Sequence, residues 1–158
     1  MQEVVNSLNQ ANKLLKTADH LTYVTYPLLN ENKLIITILE NLSEAMIKAM
    51  DAILYYERNF KRINYFPSDF KSKIETFKSL ASYYNINRNY LVLIQDLHNI
   101  IERRKTSKME FIKNDKYIIW NNEFEMTTLD YSKIKDYLNQ SKPYFDKVNY
   151  ILKNVKSK

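Results

Sequence analysis

Apolar residues recur at three- and four-residue steps along most of this chain, the spacing of one buried helical face. Over residues 3–26 the line runs Val4, Leu8, Ala11, Leu15, Ala18 and Thr22, with a second line through Leu14 and Leu21. Pro27 is expected to end this helix, because proline disfavours the helical region for Tyr26 before it. Asn30 then caps a second helix to about residue 62. Its stripe is Ile35, Ile38, Leu42, Ala45, Ala49, Ile53, Tyr56 and Phe60, and at 1.5 Å per residue it is about 45 Å long, the spine of a bundle.

Ile63 to Pro67 reads as a connector, and Ser68 as the cap of a third helix carrying Phe70, Ile74, Phe77, Ala81 and Tyr84 on one face. Asn85-Ile86-Asn87 is a turn. A fourth helix follows with Leu91, Ile94, Leu97 and Ile101 and runs out at Arg103 to Lys108. The period then changes. Residues 109–127 set Phe111, Tyr117, Ile118, Ile119, Trp120 and Phe124 around two polar turns, Asn114-Asp115 and Asn121-Asn122. Asn and Asp tolerate positive φ best among residues with a side chain, so these pairs stand where Asn-Gly would otherwise sit. Thr128 or Asp130 caps the last helix, whose line is Ile134, Leu138, Ser141, Phe145, Val148, Leu152 and Val155. Pro143 inside it is expected to kink or break it.

The pattern predicts a mainly α fold, an antiparallel bundle of four to five helices forming one domain over residues 1–158. The helices fall at about 3–26, 30–62, 68–85, 88–106 and 131–154. A small β-hairpin or meander at about 109–127 is inserted before the last.

Composition narrows the chemistry. The chain has no glycine and no cysteine, and two histidines, whereas average usage would supply roughly 7% glycine. Phosphate loops, dinucleotide fingerprints, nucleophile elbows and the KH clamp need glycine, because the backbone must take φ > 0 or approach a ligand closely. Without cysteine there is no thiol nucleophile, disulfide or thiolate zinc site. A carboxylate-bridged metal bundle needs Glu-x-x-His, but Gln95 precedes His98 at that spacing and Thr17 precedes His20. No metal and no cofactor are expected. No apolar run approaches the ~20 residues that span a bilayer, and Met1-Gln2-Glu3-Val4-Val5 does not read as a signal peptide. The expectation is a cytoplasmic protein that does not engage a membrane.

One polar group stands out: Asp19, His20, Tyr23 and Tyr26 project over two turns, and Asn41 with Glu44 shares a face of the second helix. If the two helices form a hairpin, these six make either a buried network that sets register or an acid–base pocket.

Charge is uneven. Residues 1–57 hold four Lys/Arg against seven Asp/Glu, residues 58–116 thirteen against six, and residues 117–158 seven against five. The middle block carries Arg58, Lys61 and Arg62 at the exit of the second helix, and Arg103, Arg104, Lys105 and Lys108 at the exit of the fourth. Cations at helix C-termini complement the macrodipole. Alternating topology would run these helices parallel and bring both clusters to one end, with Lys113 and Lys116 extending the patch. Tyr65, Phe66 and Tyr117 would then offer stacking faces, a description that suits single-stranded RNA.

The helix order and the basic exit Ile100-Ile101-Glu102-Arg103-Arg104-Lys105 resemble the HEPN (higher eukaryotes and prokaryotes nucleotide-binding) superfamily. The resemblance implies a helical bundle acting in RNA cleavage, in toxin–antitoxin pairs or beside nucleotidyltransferases. The family's catalytic signature is an arginine followed four to six residues later by histidine. No arginine precedes His20, and the nearest before His98 is Arg88. The resemblance therefore implies a non-catalytic member. The block Ala18 to Pro27 is also similar to a small set of uncharacterised archaeal-type helical proteins, a likeness that supplies no function.

Three functional classes follow. The first is a non-enzymatic interaction module with a protein partner or a second copy of itself, anchored by exposed aromatics such as Tyr55, Tyr83 and Trp120. The second is an RNA-binding accessory protein using the basic 58–116 block. The third is an enzyme using the Asp/His/Tyr pocket.

Overall fold

A computed structural model describes residues 1–121 and 125–153. The first apolar stripe forms α1 (Gln2–His20), but the helical path does not stop at Pro27. It widens into a π-helical turn (Leu21–Thr25) and continues as α2 (Tyr26–Leu29), with Pro27 in the first turn of α2. In the wider turn the Tyr26 N–H reaches back five residues to the Leu21 carbonyl. Proline lacks an N–H and needs room for its ring, and a helix start accommodates both demands. The path ends at Asn30, whose φ is 50°. Asn30 is thus the left-handed stop of α2, not the cap of the next helix.

Asn32 precedes α3 (Lys33–Asn59), the central helix, which buries residues on nearly all sides, including Ile35, Leu39, Met46, Met50 and Leu54. It closes in a Schellman motif. Lys61 takes φ 56°, its N–H donates to Arg58 O at 2.9 Å, and the Arg62 N–H donates to Glu57 O at 3.0 Å. Asp69, not Ser68, caps α4 (Phe70–Tyr83), accepting from the Ser72 N–H at 3.0 Å. Asn85, at φ 57°, makes the next turn, and Asn87 caps α5 (Arg88–Lys105).

The change of period gives a three-stranded antiparallel meander, β1 (Ser107–Lys113), β2 (Lys116–Asn121) and β3 (Met126–Leu129). Asn114 and Asp115 both have positive φ, 54° and 60°, the geometry of a type I′ hairpin turn. Of the second expected turn, Asn121 closes β2, while Asn122 and Phe124 lie outside the described residues. Asp130, not Thr128, caps α6 (Tyr131–Ile151) through the Lys133 N–H at 2.8 Å. The helix runs through Pro143 without a break. Residue 154 and Val155 lie outside the described residues.

One cluster of buried side chains draws on every helix and on the inner face of the sheet. Polar contacts give the helix directions. Arg58 at the end of α3 meets Glu3 at the start of α1 at 2.7 Å, so these two run antiparallel. Asn12 pairs with Asn149 at 3.0 Å and Asp19 with Lys142 at 2.8 Å, and these two contacts together set α6 antiparallel to α1. Arg104 at the end of α5 meets Glu40 near the start of α3 at 3.0 Å, so α3 and α5 run antiparallel, not parallel. The reason lies in α4. Lys73 reaches Asp51 and Tyr84 reaches Glu57, so α4 stays beside the last turns of α3 and α5 alone makes the return.

Candidate functional site

The antiparallel course of α3 and α5 separates the two basic clusters. Arg58 and Glu40 are eighteen residues apart on one helix, roughly 27 Å, and the Arg103–Lys108 group sits at the Glu40 end. Most of these cations are also engaged within the chain. Arg62 forks onto the buried Glu57 carboxylate at 2.8 and 2.9 Å, and Tyr84 donates to the same group. Burial pushes the Glu57 carboxyl up, yet these hydrogen bonds hold it below its ordinary value. Arg58 lies over Tyr55 and Phe66. Arg104 sits between Glu40 and Glu110, Arg103 is 3.7 Å from Glu125, and Lys105 pairs with Glu102 at 2.9 Å. Lys61 and Lys108 are exposed. Of the expected stacking faces, Tyr65 is exposed, but Phe66 and Tyr117 are buried. Tyr117 donates its hydroxyl to Glu110, and burial together with that carboxylate raises its pKa.

The six-residue polar group does not assemble. Asp19 pairs with Lys142 of α6 at 2.8 Å, and Tyr23 donates to the Asn139 side chain at 3.1 Å. Tyr26 turns inward, stacks on Tyr131 with centroids 4.3 Å apart and donates to Asn32 at 3.1 Å. Asn41 donates to the Thr37 carbonyl and Glu44 faces Lys48, so both stay on α3. The polar side of α1 therefore faces α6. There Asp19, His20, Lys142 and Asp146 line an open groove of ≈ 410 Å³ with Leu15 and Val24. His20 is exposed, its Nδ1 3.5 Å from the Thr25 hydroxyl. His98 stacks on Phe70 at 3.7 Å, where burial lowers its pKa.

The most unusual surface is the outer face of the sheet. The Asn114-Asp115 turn places Lys113 opposite Lys116, Phe111 opposite Ile118 and Met109 opposite Trp120. The β2–β3 pairing adds Met126 beside Trp120 and Thr128 beside Ile118. Directly opposed residues share a face, and so do alternate residues along a strand. Met109, Trp120 and Met126 thus form one row across all three strands, exposed by 52%, 36% and 60%. Phe111 and Ile118 form the next row, and Lys113 with Lys116 the last. The other face carries Tyr117, Ile119 and Leu129 into the core. Ile118 is buried yet takes no part in that core.

Trp120 is the one residue of this face that the sequence reading singled out as an anchor. Of the other two aromatics, Tyr55 is half-buried against Phe66, and Tyr83 is exposed with its ring edge-on to Tyr84. Met109 and Met126 were missed. The turn at Asn114-Asp115 carried the signal, since a two-residue hairpin sets the register and with it the Met109–Trp120 pair.

Among the described residues no helix is long and apolar enough to cross a membrane, and no group of three or more His, Asp or Glu is placed to hold a metal ion. No family model, curated protein or solved structure matches the chain.

Proposed function

We propose that this chain is a protein-interaction module that seats its partner on the outer face of the β1–β3 sheet. The observation that carries the reading is the exposed Met109–Trp120–Met126 row, continued by the half-buried Phe111. A contiguous apolar patch on a folded protein marks an interaction site more often than scattered apolar residues do. Tryptophan concentrates binding energy at interfaces, and methionine adapts its shape to a partner. The helices supply the rigid support on which the sheet rests.

RNA binding through the 58–116 block is the second reading. Its support is the overall positive balance of that block. Against it stand the separation of the two clusters and the internal carboxylates that already meet Arg58, Arg62, Arg103, Arg104 and Lys105.

The test is the mass of the native chain and its complexes by light scattering, beside a variant carrying Met109→Glu and Met126→Glu. Both positions are exposed, so the variant is expected to keep its melting temperature. Association in the native chain that disappears in the folded variant supports the reading. Association that persists unchanged overturns it.

A further inference from the structure

Lys113 and Lys116 face each other directly across the β1–β2 ladder at the mouth of the two-residue turn. Like charges in that position are destabilising. Among the described residues neither lysine is in an ion pair, and both are exposed. They stand at one end of the same face whose other end is the Met109–Trp120–Met126 row. The two rows are four residues apart along each strand, roughly 13 Å at the rise of a β-strand.

We propose that the partner segment is acidic at one end and apolar at the other. Its carboxylate would sit between Lys113 and Lys116, and its apolar anchor would lie against Trp120 about 13 Å away. This rests on the reading of the sheet as the docking face and adds the partner's chemistry and polarity. A carboxylate between two ammonium groups relieves their mutual repulsion. The half-buried Phe111, with Ile118 buried beside it, then provides the apolar contact for the residues between. A nucleic-acid strand would use the same two lysines and could stack on Trp120 and the half-buried Phe111, but Met109 and Met126, the most exposed residues of the face, offer no stacking face to its bases. An acidic-apolar peptide matches all three rows.

The single tryptophan makes the test direct, because emission excited where tyrosine does not absorb reports Trp120 alone. Displayed random peptides of about 12 residues, encoded without tryptophan and reaching ~40 Å when extended, are selected on the full chain and on a Lys113→Glu, Lys116→Glu variant. Selected peptides are then titrated against Trp120 emission, with oligouridine as the nucleic-acid probe.

The expected result is enrichment of Asp or Glu at one end of the peptides and apolar residues at the other, with a blue shift of Trp120 on binding. Charge reversal should weaken these peptides about tenfold, the worth of two exposed ion pairs, and should select Lys or Arg in their place. Peptides that shift Trp120 but carry no charge preference would overturn the acidic assignment and leave the docking face standing. Peptides that bind without moving Trp120 emission, or oligouridine as the sole ligand that does, would overturn both.

Discussion

The hydroxyl of Tyr131, at the start of α6, donates to the main-chain carbonyl of Thr22 at 2.7 Å. In a π-helical turn that carbonyl would accept from the N–H five residues on, which is the position of Pro27. Proline has no N–H, so a distant side chain supplies the missing donor. The same Tyr131 ring stacks on Tyr26, so one residue holds the widened turn in two ways.

Tyr131→Phe keeps the stack and removes the donor. It should lower stability by about 1–2 kcal/mol, the cost of leaving a largely buried carbonyl unsatisfied. Urea unfolding measures the loss, and amide exchange at residues 21–26 should speed up more than elsewhere. An unchanged exchange pattern would show that the π turn needs no external donor.

Among the described residues five have positive φ, and four of them are Asn or Asp. Lys61 is the exception, at φ 56° in the Schellman stop of α3. A side chain in the left-handed region costs roughly 1–2 kcal/mol, and glycine escapes this while losing more backbone entropy on folding. Lys61→Gly should therefore stabilise the chain by about 0.5–1 kcal/mol. A lower melting temperature would refute this.

Glu57 is buried and held below its ordinary pKa of 4.5 by Arg62 and Tyr84, against the upward push of burial. A carboxyl whose folded pKa is depressed contributes stability above its unfolded pKa and loses it as pH falls through the folded one. Arg62→Ala should cost about 2–3 kcal/mol at neutral pH, because it leaves a buried charge short of a partner. The acid limb of the stability curve below pH 4.5 should flatten at the same time. Chemical unfolding at several pH values separates the two effects.

His98 acts in a higher pH range and with the same sign. Burial beside Phe70 lowers its pKa from the ordinary 6.5, so the unfolded chain binds the proton more readily than the folded one. Its effect is absent above pH 6.5 and becomes a loss of stability as pH falls from there through the folded pKa. His98→Leu should remove that part of the slope. An imidazole titrating at or above 6.5 by NMR would contradict the assignment.

Much of the local structure was legible because it depends on neighbours in sequence. The three- and four-residue stripes placed the helices. Asn85, Asn87 and Asp130 marked turns and caps by donating or accepting within three residues of themselves. The misread positions share a cause. Pro27, Asn30 and Ser68 are ambiguous signals whose outcome depends on how the next turn packs. A proline closes one helix and opens another according to its surroundings, and the Tyr131 bond that holds the open form comes from 109 residues away.

The candidate site divides along the same line. The Asn114-Asp115 turn determined from sequence alone that Lys113 meets Lys116, Phe111 meets Ile118 and Met109 meets Trp120, because a two-residue hairpin leaves no other register. The run Tyr117-Ile118-Ile119-Trp120 is apolar on both faces, however, so alternation cannot say which side turns inward. Packing of the sheet against the helices decided that. It took Tyr117, Ile119 and Leu129 into the core and left Ile118 and Trp120 outside. Tertiary structure also decided the fate of the basic residues. Charge along a chain is additive, but whether two clusters meet depends on helix direction. The short course of α4 sent α5 back antiparallel to α3 and put them at opposite ends.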